Sequence, residues 1–180
     1  MVEIGTFTVT SGKLVVSDPC YTLGTWCMGH LDKVRNGKWK ASVIHSDEAS
    51  WGNRIAEVTA WIGRKPGHAA AWEKCAFEVG VDSGQAGIFD SNHYRRDADA
   101  KGYKYTGEDG PIVPDEPWYS MCCDQTQTVN SAGVVPGGVV SCSGFGDGGY
   151  DAFVLKDKSG KIVAVRIVFI GADEVEDAED

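Results

Sequence analysis

The chain has 180 residues, with 17 Lys and Arg against 26 Asp and Glu and a formal charge of −9. That is one domain's length, and the absence of a basic face argues against a duplex-DNA binder, whose phosphate contacts require one. Six of the acids (Asp173, Glu174, Glu176, Asp177, Glu179 and Asp180) fall in the last eight positions, and the rest of the chain holds 17 basic against 20 acidic residues, or −3.

The predicted elements begin with the apolar run Leu14-Val15-Val16, read as a buried strand. Asn36-Gly37 tolerates the positive φ angles of a tight hairpin turn, so it predicts a strand pair, with Val34 before it and Trp39, Ala41, Val43 and His45 alternating after it. Residues 54–62 place Ala56, Val58, Ala60 and Ile62 on one face. The short run 69–74 reads as a brief helix, and residues 75–81 place Cys75, Phe77, Val79 and Val81 inward. From Asp90 to Pro114 little periodicity is seen, the pattern of a lid or binding loop. Asp115 and Pro117 then suit a helix start, and Trp118, Met121, Cys122 and Gln125 share one face. At the end, residues 150–156 and 161–170 form a strand pair around Asp157-Lys158-Ser159-Gly160, and the second strand, apolar on both faces apart from Arg166, is expected at the centre of a sheet.

These elements define a mainly β fold, with α+β as its neighbour. The expected form is an antiparallel β-sandwich or partly open barrel with one main helix near 115–127. One β-rich domain spans 1–172, and 173–180 is read as a solvated, disordered acidic tail. No run approaches the about 18 consecutive apolar residues of a membrane span, and Met1-Val2-Glu3-Ile4-Gly5 lacks a signal-peptide pattern. The expectation is a soluble, cytoplasmic protein without a membrane partner. In that setting the six cysteines are read as thiols, and their spacings do not match a zinc knuckle. Oligomeric state is not encoded legibly.

Three polar loops each follow a strand and combine small residues with an acid: Ser17-Asp18-Pro19-Cys20-Tyr21, Gly80-Val81-Asp82-Ser83-Gly84-Gln85-Ala86-Gly87, and Ser141-Cys142-Ser143-Gly144-Phe145-Gly146-Asp147-Gly148-Gly149-Tyr150. Turn chemistry alone explains Asp, Ser, Gly and Pro at such places. The third loop, however, holds more glycine than an ordinary turn requires, and glycine lets backbone amides approach a ligand. The candidate ligand-binding residues are therefore Asp18, Tyr21, Asp82, Ser83, Gln85, Ser143, Gly144, Asp147 and Tyr150, with no metal or cofactor required.

These segments, with Ser11-Gly12 and Asn36-Gly37-Lys38-Trp39, resemble a domain-of-unknown-function family of bacteria and their phages over nearly the whole chain. The resemblance implies one β-rich domain, cytosolic or phage-encoded, and supplies no catalytic residues. Small phage proteins of this kind include counter-defence factors that sequester nucleotide signals.

Three functions follow. The first is binding of a small polar, nucleotide-like ligand where the three loops converge, with a phage-type sponge for nucleotide immune signals as one form of it. Aromatics would stack a ring, while Asp18, Asp82 and Asp147 in one pocket would oppose phosphates. The second is a hydrolase of phosphodiesterase type, using Mg²⁺ on Asp82, Asp90 and Asp147, or Cys20 or His93 oriented by Asp82. The third is a structural or protein-interaction role with exposed aromatics as anchors, although core packing is the expectation for Trp26, Trp51 and Trp118. His30, His45 and His68 are read as structural or surface residues.

Overall fold

Inward-facing Trp39, Ala41 and Val43 on one strand, and Val58 and Ala60 on the next, are what allow two sheets to close on each other. The computed structural model describes residues 1–67, 69–105 and 115–171. The strands are β1 (Val2–Val9), β2 (Leu14–Ser17), β3 (Gly29–Leu31), β4 (Gly37–Asp47), β5 (Asn53–Trp61), β6 (Glu73–Val81), β7 (Gln85–Asp90), β8 (Ala132–Val135), β9 (Gly138–Cys142), β10 (Gly148–Lys156) and β11 (Ile162–Val168), and the helix α1 spans Pro117–Thr126. The first sheet has the order β1-β4-β5-β11-β10-β6 and the second β3-β2-β7-β9-β8, and all neighbouring strands in both are antiparallel. The fold is a β-sandwich.

The core between the sheets contains Phe7, Leu14, Val16, Trp39, Val58, Ile88, Val139 and Ile167. Each such side chain contributes about 1.5–3 kcal/mol on leaving water. A second cluster, built from Val15, Phe89, Tyr94, Trp118, Met121 and Val140, seals the other face of the second sheet under α1 and the 91–105 segment. Strand β11 is central, between β5 and β10, as its two-sided apolar sequence predicts.

Three local expectations are corrected. Asn36-Gly37 does not close a hairpin. Strand β4 pairs with β1 through Val9 opposite Gly37, and Asn36 instead ties down the 10–12 turn, accepting from the Gly12 amide at 2.7 Å and donating to the Thr10 carbonyl at 2.9 Å. The 69–74 run is not a helix but leads into β6, which begins at Glu73. Helix α1 starts with Pro117 but is not capped by Asp115 or by Glu116. The Trp118 amide donates to Asp97 Oδ1 at 3.1 Å, so a carboxylate from a distant turn satisfies one of the helix's open donors. The 173–180 tail and His68 lie outside the described residues.

Residues 82–84 and 143–147 both cross from one sheet to the other, side by side. Val81 pairs with Gly148 in the first sheet, and Gln85 with Cys142 in the second. Sheets often turn corners in this way, with paired strands switching layers together. The register places the 18–28 loop, the 48–52 turn, both crossings and the 127–131 turn at one end of the sandwich, the loop end. Among the described residues, no helix is long and apolar enough to cross a membrane.

Candidate functional site

The three polar loops converge at the loop end, and Asp18 is what joins the first two. It is fully buried. Its Oδ2 accepts from the amides of Asp82 at 2.9 Å and Ser83 at 2.7 Å, and its Oδ1 from the Cys20 amide at 2.8 Å and Ser83 Oγ at 2.7 Å. The third loop joins the same turn: Asp147 Oδ1 accepts from the Gly84 amide at 3.1 Å, and the Ser143 amide donates to the Gly84 carbonyl at 3.0 Å.

Further contacts pin the first loop from behind. Tyr94 Oη donates to the carbonyls of Asp18 at 3.0 Å and Tyr21 at 2.7 Å. Arg95 donates to the Pro19 and Cys20 carbonyls at 2.8 and 2.9 Å and pairs with Glu116. Within the third loop, Ser143 Oγ donates to the Gly146 carbonyl at 2.8 Å, and Tyr150 Oη bonds the carbonyls of Ser143 and Gly146. Gly144 is left-handed at φ 60°, and a Cβ there would lie 3.0 Å from Phe169 Cβ, so both backbone shape and space favour glycine.

An open cleft of about 530 Å³ lies over this framework, lined by Tyr21, Thr25, Trp26, Cys27, Glu78, Gly80, Val81, Asp82 and residues 147–149. Of the nine sequence candidates, Tyr21, Asp82 and Asp147 line it. Asp18, Ser83, Ser143, Gly144 and Tyr150 hold the walls together. Gln85 faces α1, where its Nε2 lies 3.4 Å from Cys123 Sγ.

Sequence reasoning missed Glu78 and Trp26. Glu78 was legible as an outward acid on the β6 alternation. Trp26 carried no periodic signal, lying in an irregular Gly- and Thr-containing loop. Gly80 admits Cys27 to the wall: a Cβ on Gly80 would lie 2.7 Å from Cys27 Cβ, and the Gly80 amide donates to the Cys27 carbonyl at 2.9 Å.

The lining is acidic, with carboxylates from Glu78, Asp82 and Asp147 and no lysine or arginine among the lining residues. Burial first, then the hydrogen bond to Asp82, hold the Tyr21 phenol well above its ordinary range, so it stays a neutral donor. An acid-lined, aromatic-walled cleft attracts cations and hydrogen-bond donors and repels anions.

Asp82, Asp90 and Asp147 are not gathered into one metal site, and His93 is not placed beside Asp82. Asp90 lies at the far end of β7 from Asp82. Burial alone would raise its carboxyl, but hydrogen bonds from Ser11, Thr10 and the Asn92 amide outweigh burial and hold it below the usual range. Among the described residues no group of three His, Cys, Asp or Glu is placed to hold a metal ion. His93 pairs with Asp99 at 2.7 Å, at the same far end as Asp90, and is not oriented by Asp82. His45 contacts the Asn130 carbonyl at 3.2 Å.

All six cysteines are free. Burial first, then the neighbouring Asp18, push the Cys20 thiol up from 9.0 to about 12. A raised thiol is protonated at neutral pH and is a poor nucleophile. At pH 8, alkylation of Cys20 in the folded protein is expected to run at least about a hundredfold slower than in urea, quickening about tenfold per pH unit until pH reaches the raised value. Mass-spectrometric mapping of iodoacetamide adducts checks this, and early labelling of Cys20 in the native state contradicts it.

Residues 7–167 match the model of the family described as protein of unknown function DUF4241, and the chain belongs to that family. No curated protein and no solved structure matches the chain.

Proposed function

We propose that this member of the family is a binding module whose cleft takes a small polar ligand rich in hydrogen-bond donors and carrying positive charge. The observation that carries the reading is the lining itself: Glu78, Asp82 and Asp147 meet Tyr21 and Trp26 around one open cleft. The aromatic walls suit a flat ring or an ammonium group, and the carboxylates suit amino and hydroxyl donors. An amino-substituted nucleoside fits this chemistry. A phosphate-rich nucleotide signal fits it less well, because its charge meets three carboxylates, and a sponge role would need a divalent cation bridging ligand phosphates to Asp82 and Asp147. Burial holds the Cys20 thiol protonated and His93 lies at the far end of the sandwich, which favours binding over the thiol and histidine forms of hydrolysis.

The test is calorimetric titration against nucleosides, nucleotides and cyclic nucleotides with and without Mg²⁺, together with linear polyamines. Saturable binding of a cationic or amino-bearing compound is expected, weakened at least about tenfold, or about 1.4 kcal/mol, in Glu78→Gln/Asp82→Asn. Binding that both substitutions leave unchanged removes the cleft from consideration. Chromatography of the released ligand separates sequestration from turnover: intact ligand supports the proposal, and cleaved ligand replaces it with an enzyme.

A further inference from the structure

Among the described residues, the large apolar side chains that remain exposed are distributed unevenly. Apart from Met1 and Val2 at the N-terminus, they are Leu23 at 57%, Trp26 at 93%, Trp51 at 67%, Val129 at 97% and Phe145 at 51% exposure. All five belong to the 18–28 loop, the 48–52 turn, the 143–147 crossing or the 127–131 turn, that is, to the loop end. Isolated exposed apolar residues need no explanation, but their concentration at one end of a molecule marks an interaction surface.

Trp51 and Phe145 come from chain segments far apart in sequence and meet edge to face with ring centroids 6.2 Å apart. They form a two-ring anchor of the kind that dominates protein interfaces. The charge around the anchor is predominantly negative. Asp47 and Glu48 precede Trp51, Asp147 follows Phe145, and Asp82 and Glu78 lie in the adjoining cleft. One Glu48 carboxylate oxygen is buried without a hydrogen-bond partner. Arg54 keeps its positive charge beside the anchor, its Nε donating to the neutral Trp51 carbonyl at 2.8 Å, but these acids outnumber it, and Arg95 is paired with Glu116 and held by the Pro19 and Cys20 carbonyls.

We infer that the loop end is a docking surface for a second protein whose contacting face is basic, with Trp51 and Phe145 packing against apolar side chains beside Lys or Arg. A second copy of this chain is the poorer occupant, since two identical acidic ends would face each other across a symmetric interface. The anchor rings do not line the cleft, although the surface around them shares Trp26 and the carboxylates of Glu78, Asp82 and Asp147 with it, and a surface for a protein does not require a small molecule in the cleft.

The probe is a phage-displayed random dodecapeptide library selected on the immobilised protein, followed by titration of the enriched peptides in solution. Enriched sequences are expected to combine Lys or Arg with aromatic or branched aliphatic residues. Their affinity should fall at least tenfold in Trp51→Ala/Phe145→Ala, and also as salt rises from about 0.05 to about 0.5 M, where exposed charges are screened.

Trp51→Lys serves as a second variant, replacing the ring by a long exposed side chain that adds a positive charge, and is expected to lose binding as well. Thermal melting confirms that each variant is folded. The inference is overturned by failure to enrich, by enrichment of sequences without basic residues, or by peptides that bind the folded variants as tightly as the wild type. A concentration-dependent dimer in sedimentation that disappears in Trp51→Ala/Phe145→Ala also overturns it, assigning the surface to a second copy. Titration of a linear polyamine into Trp51→Ala/Phe145→Ala should give the wild-type affinity, so the two readings fail separately.

Discussion

Replacing Asp18 by alanine is expected to destabilise the fold by about 3–5 kcal/mol, the loss typical of breaking a buried charged hydrogen-bond network. The carboxylate accepts four hydrogen bonds, three of them from backbone amides. Alanine would leave the donors of Cys20, Asp82 and Ser83 without an acceptor in a place water reaches poorly, and each such donor retains its desolvation penalty. Asp18→Asn should fall between wild type and alanine, because one oxygen still accepts while the new NH₂ group confronts amide donors. Urea unfolding followed by far-ultraviolet circular dichroism gives the values. A loss below about 1 kcal/mol for alanine would mean that the 82–84 turn holds its shape without Asp18, against the range expected for such a network.

The second large effect is at Trp118, where truncation to alanine should cost about 3–5 kcal/mol, as for other buried aromatic residues. The indole sits between Phe89 and Tyr94, with centroid separations of 5.2 and 5.3 Å, and those two rings also touch each other at 5.4 Å. The three rings join α1, the second sheet and the 91–105 segment, so removing the central one opens a cavity shared by three elements. The Trp118 indole N–H is buried and has no hydrogen-bond partner among the described residues. Trp118→Phe therefore removes an unsatisfied donor along with the volume, and should cost about 2 kcal/mol less than alanine. Equal losses for the two substitutions in thermal or urea unfolding would show that packing volume does not control this site.

Alternation along 54–62 and 75–81 was legible because a strand's period of two is written directly in its side chains. The two-sided apolar run at 161–170 likewise announced a central strand. Pairing partners were not legible in the same way. Asn36-Gly37 has hairpin chemistry, yet the residues before it belong to other contacts, and β4 finds its partner in β1 because local turn preference is weaker than burial of Trp39 between the sheets.

The three Asp loops were recognisable from composition, but composition does not distinguish a carboxylate aimed at solvent from one aimed inward. Asp18 and Asp82 look alike in sequence, and only the fold makes the first a buried strut and the second part of the cleft lining. Trp26 and Trp51 show the converse: large aromatics are expected in the core, and nothing local revealed that their loops carry them outward. Trp118, with its helical neighbours Met121 and Cys122, did carry a burial pattern, and it is buried.

Asp18 meets Ser83 across 65 positions of sequence, and Gly84 meets Asp147 across 63. Bringing such distant segments together incurs loop-closure entropy before the contacts repay it, a feature of slow-folding β topologies. No fragment ending before residue 147 can contain the whole cleft, so a chain stopped there lacks the site proposed above. Ligand occupancy would then report on completed folding of the domain, and a ligand present at about 100 times its dissociation constant would hold the entire sandwich together by about 2.7 kcal/mol, not merely its loops.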